Sequence, residues 1–281
     1  MCALLFVSTL LFSQQIEYKP HFTNQQNEPD WQKGLISTGI LTFSVIAIYQ
    51  TGKPIYYNQE RSAFHWTRVN GDIEFYDNVH RGMDKHGHFF AASLFAQNIY
   101  FMSRWSGLNN ENASYTSFFV SSAIMTAMEI HDAYYERWGF SVGDFLYNLA
   151  GAAFYVGQQN YALMRNLDFK MSYNFTQPNA ESSVIESYPN MSYWLTVNPS
   201  GIYEKGFSGW FPNWLNIALG ISTTHSTPHK TELLIGLDFN LKRIKTRSVF
   251  LNHLLHLIDR YKFPAPAIRL APQFIGYGLY F

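Results

Sequence analysis

Asp84, Lys85, His86 and His88 fall within five residues, where a long apolar stretch begins. A carboxylate and an imidazole so placed can exchange a proton or share a cation. If residue 84 is already helical, Asp84 and His88 differ by about 40° around the axis and share a face, whereas Lys85 and His86 turn away. Glu129 and Asp132 repeat the pattern three apart, and Asp144 and Asn148 repeat it four apart on a stripe that continues through Gly151 to Tyr155. Three apolar segments thus each present a polar pair on one side. An acid on an apolar helix is costly unless partnered. Convergence of Asp84, His88, Glu129, Asp132, Asp144 and Asn148 resolves that cost collectively.

Two chemistries satisfy such a centre, and the residues alone leave both open. In the first, His88 and Lys85 neutralise part of the acidic cluster in a closed structural network. In the second, His88, Glu129, Asp132 and Asp144 ligate a divalent metal ion, the one cofactor these donors suggest. A catalytic version would use Asp84, His88, Glu129, Asp132 and Asp144 for metal-assisted hydrolysis or acid–base transfer. Lys85, Arg104, Asn148 and Tyr155 are then the candidate ligand contacts. Lys85 either answers the acids or snorkels to lipid phosphate, and Arg104 either anchors at an interface or binds a head group. No nucleophile motif, phosphate loop, paired-cysteine zinc pattern or dinucleotide fingerprint accompanies the centre, so the sequence does not decide whether the chain is an enzyme.

The 281 residues are 47% hydrophobic, 18% aromatic and only 14% charged, with zero formal net charge. A charged fraction this low, with abundant Tyr and Phe, points to a membrane surface or interior. The neutral balance gives no general attraction to nucleic acid, so the expected partners are membrane lipid or an envelope protein complex. "MCALLFVSTLLFSQQ" is an apolar run that turns polar after Ser13, as in an export signal, although no basic residues precede it. Cys2 is the only cysteine and falls inside that run, so the mature chain is expected to start near Gln14 without thiol chemistry.

The elements that must position the polar pairs follow from the apolar pattern. Residues 34–49, 87–105, 114–138 and 141–164 read as helices, the last with Ser141 as N-cap and with Gly151, Ala152, Ala153 and Gly157 allowing close helix contact. The first would reach only about 24 Å, so a buried or shallowly inserted helix fits it as well as a spanning one. After residue 166, prolines, asparagines and serines break the helical texture. "ELLIGLDFNLK" is the clearest strand, with Leu233, Ile235, Leu237 and Phe239 on one face; "MSYWLTVN" and "FIGYGLYF" are weaker ones. A short amphipathic helix with Leu251, Leu254, Leu255 and Ile258 precedes Pro264, its His253 and His256 read as a solvated or interfacial face in preference to a metal site. The terminal Phe281 resembles a barrel-closing residue, but the convincing strands are too few for a barrel. The expected fold class is therefore mainly α: a membrane-associated helical bundle with a smaller β-containing C-terminal region. Its divisions would be a signal at 1–13, an exposed segment at 14–33, the bundle at 34–165 and the β-containing region at 166–281.

The stretches "DKHGHF", "EIHD" and "GFSVGDFLYNLAGA" resemble the YfiM-like bacterial envelope family, domain of unknown function 2279, in a longer form similar to that of the Bacteroidetes. The matching positions are Asp84, Lys85, His88, Phe89, Glu129, Asp132, Gly139, Ser141, Asp144, Asn148, Gly151 and Ala152, within about residues 80–155. The resemblance implies an exported protein on the periplasmic face or outer membrane, and it supplies no reaction. This chain departs from the family's lipoproteins in having no lipidation cysteine after the apolar run. The resulting expectation is an exported, membrane-associated envelope protein whose centre is structural or ligand-binding. The alternative is a metal-assisted or acid–base enzyme acting on lipid or a related head-group substrate.

Overall fold

A computed structural model describes residues 28–56, 59–69, 71–76, 80–177, 187–202 and 211–280. The export-signal reading and Phe281 lie outside them. Helix α1 (Trp31–Gly52) leads through a short turn to a two-stranded ribbon, β1 (Arg68–Val69) and β2 (Asp72–Ile73). Helices α2 (Met83–Trp105), α3 (Asn110–Asp132) and α4 (Val142–Asn160) follow. Next come β3 (Leu167–Tyr173), β4 (Met191–Val197), β5 (Leu215–Thr223) and β6 (Thr231–Phe239), then helix α5 (Val249–Ile258), β7 (Ala265–Ala271) and β8 (Ile275–Tyr280). Strands β3 to β8 form one six-stranded antiparallel sheet in sequence order. The expectation of a mainly α membrane bundle is thereby overturned: the chain is mixed, with a substantial sheet as well as helices.

The chain forms two compact units. One comprises residues up to Phe75 with Ala91–Val156 and Thr246–Leu254; the other comprises Tyr76–Phe90, Gly157–Lys245 and Leu255–Phe281. In the first, Asp30 caps α1 by accepting from the backbone N–H groups of Gln32 and Lys33. Trp31–Gln50 is long and apolar enough to cross a membrane, and little of it is buried. Phe95, Ala96 and Ile99 of α2, Ala113 and Met125 of α3, and Ala152 of α4 supply core. Ser114, Ser117 and Ser121 recur down one side of α3 and are buried, and the Ser117 hydroxyl donates to the Ser114 carbonyl at 2.8 Å.

The second unit is organised by its sheet, whose two faces have opposite chemistry. Cross-strand register puts Phe169, Leu195, Leu219, Ile235 and Ile268 in one row of one face, flanked by the row Leu167, Val197, Ile217 and Leu237. The other face carries Lys170, Trp194, Gly220 and Leu234 in one row and Ser172, Ser192, Ser222 and Glu232 in the next. The buried face is the polar one: Lys170 is 0% exposed, while Leu219 on the apolar face is 51% exposed. Paired charges make this possible, and Asp259 and Arg269 among them come from residues after α5. Lys170 pairs with Asp259 at 2.9 Å and Asp238 at 2.8 Å, Lys242 with Asp168, and Arg269 with Glu232. The Lys262 ammonium lies 4.4 Å from the centre of the Trp194 ring. Tyr280 of the last strand meets Trp194 of the second edge-on at 5.6 Å, so the sheet curls around this polar filling.

His256 lies half-buried near the charges of that filling, Lys242, Asp168 and Arg260; the side chain of His253 lies outside those described. Burial pushes the His256 imidazole down to about 4, with Lys242 and Arg260 adding to the effect and Asp168 opposing it. Its folded-state pKa lies below the ordinary value of about 6.5. Stability from the neutral ring is therefore complete above pH about 6.5 and lost as pH falls toward 4. Denaturant titrations at pH 7 and pH 4.5 should show a loss that His256→Leu reduces by about 2 kcal/mol. An unchanged acid limb in that variant would remove His256 as its source.

Candidate functional site

The site starts with the turn into α4. Gly139 has φ +85°, and a Cβ there would lie 2.8 Å from the backbone nitrogen of Thr67. That close approach lets the Thr67 N–H donate to the Phe140 carbonyl at 3.0 Å and the Thr67 hydroxyl to the Trp138 carbonyl at 2.7 Å. Two residues on, the Ser141 hydroxyl accepts from the Asp144 N–H at 3.1 Å, opening the helix as an N-cap does. The "GFSVGD" stretch is thus a device for aiming Asp144 from the first turn of α4. Gly139→Ala strains both the positive φ and the Thr67 contact and should cost about 1–3 kcal/mol. A thermal melt of that variant checks the figure, and an unshifted transition would show that the turn tolerates a side chain.

Glu129 on α3, 2% exposed, and Asp144 on α4, 8% exposed, are buried carboxylates. Asn148, one turn beyond Asp144, donates its amide to Glu129 Oε1 at 3.4 Å. His88 rides on α2, which runs without a break from Met83 to Trp105. Ligand atoms of His88, Glu129 and Asp144 all lie within 4.8 Å of one another. One imidazole nitrogen and two carboxylates make a set suited to a divalent first-row metal. Bonds of about 2.1 Å around a tetrahedral ion need ligand atoms about 3.4 Å apart, a contraction within the reach of side-chain rotation.

The other candidates have different surroundings. Asp84 pairs with the buried Lys85 at 2.7 Å. Asp132 accepts from the Tyr56 hydroxyl at 2.6 Å and lies 3.6 Å from His131 Nδ1. Burial and then the Asp132 carboxylate push the Tyr56 phenol up, so it stays a proton donor. The Tyr56 ring packs against His131, Tyr135 and Trp138, making Asp132 the polar end of an aromatic corner. Arg104 donates to the Leu108 carbonyl at 2.8 Å, and Tyr155 meets Tyr100 edge-on at 5.9 Å. His86 bonds the Gly82 carbonyl through Nδ1 at 2.7 Å, and burial lowers its pKa below the ordinary imidazole value against the opposing pull of that bond and of Asp84. Tyr56 escaped the sequence reading because nothing in "GKPIYY" sets its partner apart.

Residues 75–159 match the family described as "Predicted periplasmic lipoprotein", domain of unknown function 2279. No curated protein and no solved structure matches the chain. The matched segment contains α2, α3 and most of α4, and with them His88, Glu129, Asp144 and Asn148. Over residues 75–159 the chain is therefore similar to that predicted periplasmic lipoprotein family, a likeness that supports an exported protein of the bacterial envelope on the periplasmic face.

Proposed function

We propose that this chain is a membrane-associated envelope protein whose polar centre binds a divalent cation through His88, Glu129 and Asp144. The observation that supports it is the gathering of their ligand atoms within 4.8 Å on three helices. Asn148 steadies Glu129, and the Ser141 cap steadies the first turn that carries Asp144. Such an ion ties three helices together and also leaves room for a further ligand. Titration calorimetry with Zn²⁺ and with Mn²⁺ should give one site per chain, and His88→Gln should weaken it at least about tenfold. Saturating metal should raise stability by about 2.7 kcal/mol at one hundred times Kd. Equal binding by wild type and the His88 variant would refute the assignment.

A second reading is metal-assisted hydrolysis of a lipid or related head-group substrate. It is favoured by the ligand count, because three protein ligands leave a coordination position for water. Release of head group from phospholipid vesicles that depends on added metal and disappears in Asp144→Asn would carry it.

A further inference from the structure

The sheet of the second unit reverses the usual order of an antiparallel sheet in water, which buries its apolar face and wets its polar one. Here Lys170, Asp238 and Asp259 are 0%, 1% and 2% exposed. Ile217, Leu219, Leu233, Leu237, Ile268 and Leu270 stand exposed on the outside. Part of the apolar face is already covered: Phe89 meets Phe169 at 4.6 Å, and Phe90 lies against Tyr193 at 6.3 Å. What remains open is the outer surface of β5, β6 and β7. Its outward positions between the end threonines of β5 and β6 are all apolar, from Leu215 to Ile221, from Leu233 to Phe239, and Pro266, Ile268 and Leu270.

We infer that this outer surface of β5 to β7 is a membrane-docking face, pressed against the acyl chains of a bilayer leaflet. Three observations select lipid over a protein partner. Protein interfaces carry about one hydrogen bond per 100–200 Å² and a polar rim that fixes orientation. The side chains on this face offer no donor or acceptor for such bonds, and hydrocarbon requires none. Its margins are aromatic: Trp214, 52% exposed, stacks on Phe239 at one end, and Phe274 stands at the other. Aromatic residues at the edge of an apolar band mark the head-group level. Finally, the buried ion pairs remove charge from the sheet's contact side, the polar-in and apolar-out order of sheets in lipid.

The edges fix how the sheet lies. At β3, the Met171 N–H donates to the Arg260 carbonyl at 3.0 Å and the Lys262 N–H to the Met171 carbonyl at 2.9 Å. Strand β8 pairs among the described residues with β7 alone. Hydrocarbon does not tolerate an open sheet edge. The sheet therefore docks by its broad face, with β8 at the water boundary, and does not cross the bilayer.

This inference rests on the membrane association proposed above, and one experiment separates the two. Cysteines are placed singly at Leu219, Leu237 and Ile268 of the full chain in a Cys2→Ser background and nitroxide-labelled, and labelled chains that melt as wild type are mixed with phosphatidylethanolamine–phosphatidylglycerol vesicles. The expected result is flotation with the vesicles, with oxygen access rising and nickel-chelate access falling at all three labels. Leu219→Asp with Leu237→Asp should reduce the vesicle-bound fraction about tenfold. Flotation with all three labels still open to the nickel chelate would overturn the docking face and leave membrane association standing. Failure to float would overturn both. Labels shielded before vesicles are added would assign the face to another part of the chain or, if they couple magnetically with one another, to a second copy.

Discussion

Lys170→Met is expected to lower stability by about 3–5 kcal/mol, because it strands charge inside the sheet. Lys170 bonds Asp238 and Asp259 and also donates to the Phe239 carbonyl at 2.9 Å. Methionine fills a similar volume but leaves two carboxylates facing each other in a low dielectric. The Asn216 amide on Asp238, at 3.0 Å, and the Leu241 N–H on Asp259, at 2.7 Å, stay in place without cancelling that charge. Denaturant unfolding gives the measurement. Adding Asp259→Asn to Lys170→Met should recover part of the loss, since one stranded charge is then gone. A single variant within 1 kcal/mol of wild type would mean that water reaches these charges.

Trp194→Ala should cost a comparable amount, about 3–5 kcal/mol. Trp194 is 0% exposed, packs over Ala218, Leu234 and Ala267, and donates its indole N–H to the Ser172 hydroxyl at 3.0 Å. Its ring occupies the space a side chain at position 220 would need: a Cβ on Gly220 would come within 2.5 Å of it. Removing the ring therefore opens a void and strips Lys262 of its aromatic partner. Gly220→Ala in the Trp194→Ala background should be better tolerated than in wild type, a coupling readable from the four unfolding curves of a double-mutant cycle. Strict additivity would show that the ring and the glycine are not matched.

The sequence made some of this visible. Strand β6 is readable because Ile235, Leu237 and Phe239 alternate with Gly236, Asp238 and Asn240, although Leu234 interrupts the pattern near its start. Strand β5 alternates as strictly, but Ala218 and Gly220 between its aliphatic residues blur the contrast, and Lys170 in "LDFKMSY" reads as a wet position. Alternation tells that two faces differ and not which one is inside. The deciding partners of Lys170 include Asp259, 89 positions away. The same limit governs the polar centre. Helical spacing puts Asp144 and Asn148 on one stripe but does not show that the Asn148 amide reaches Glu129 of the preceding helix, and the Asp132 partner, Tyr56, lies 76 positions upstream with no local signature.

The meander order of the sheet also dictates a sequence of assembly. Each strand pairs with its neighbour in the chain, so β3 to β6 can zip together as successive hairpins, each needing only a local loop closure. Residues 260–262, which cap β3 through Met171, come after all four of those strands. The first strand made is thus sealed only after β6 has been made, and its edge stays open while β4 to β6 form. In a chain emerging into the periplasm, that interval is when β3 is most prone to pair with another chain and when a holding chaperone would do most good.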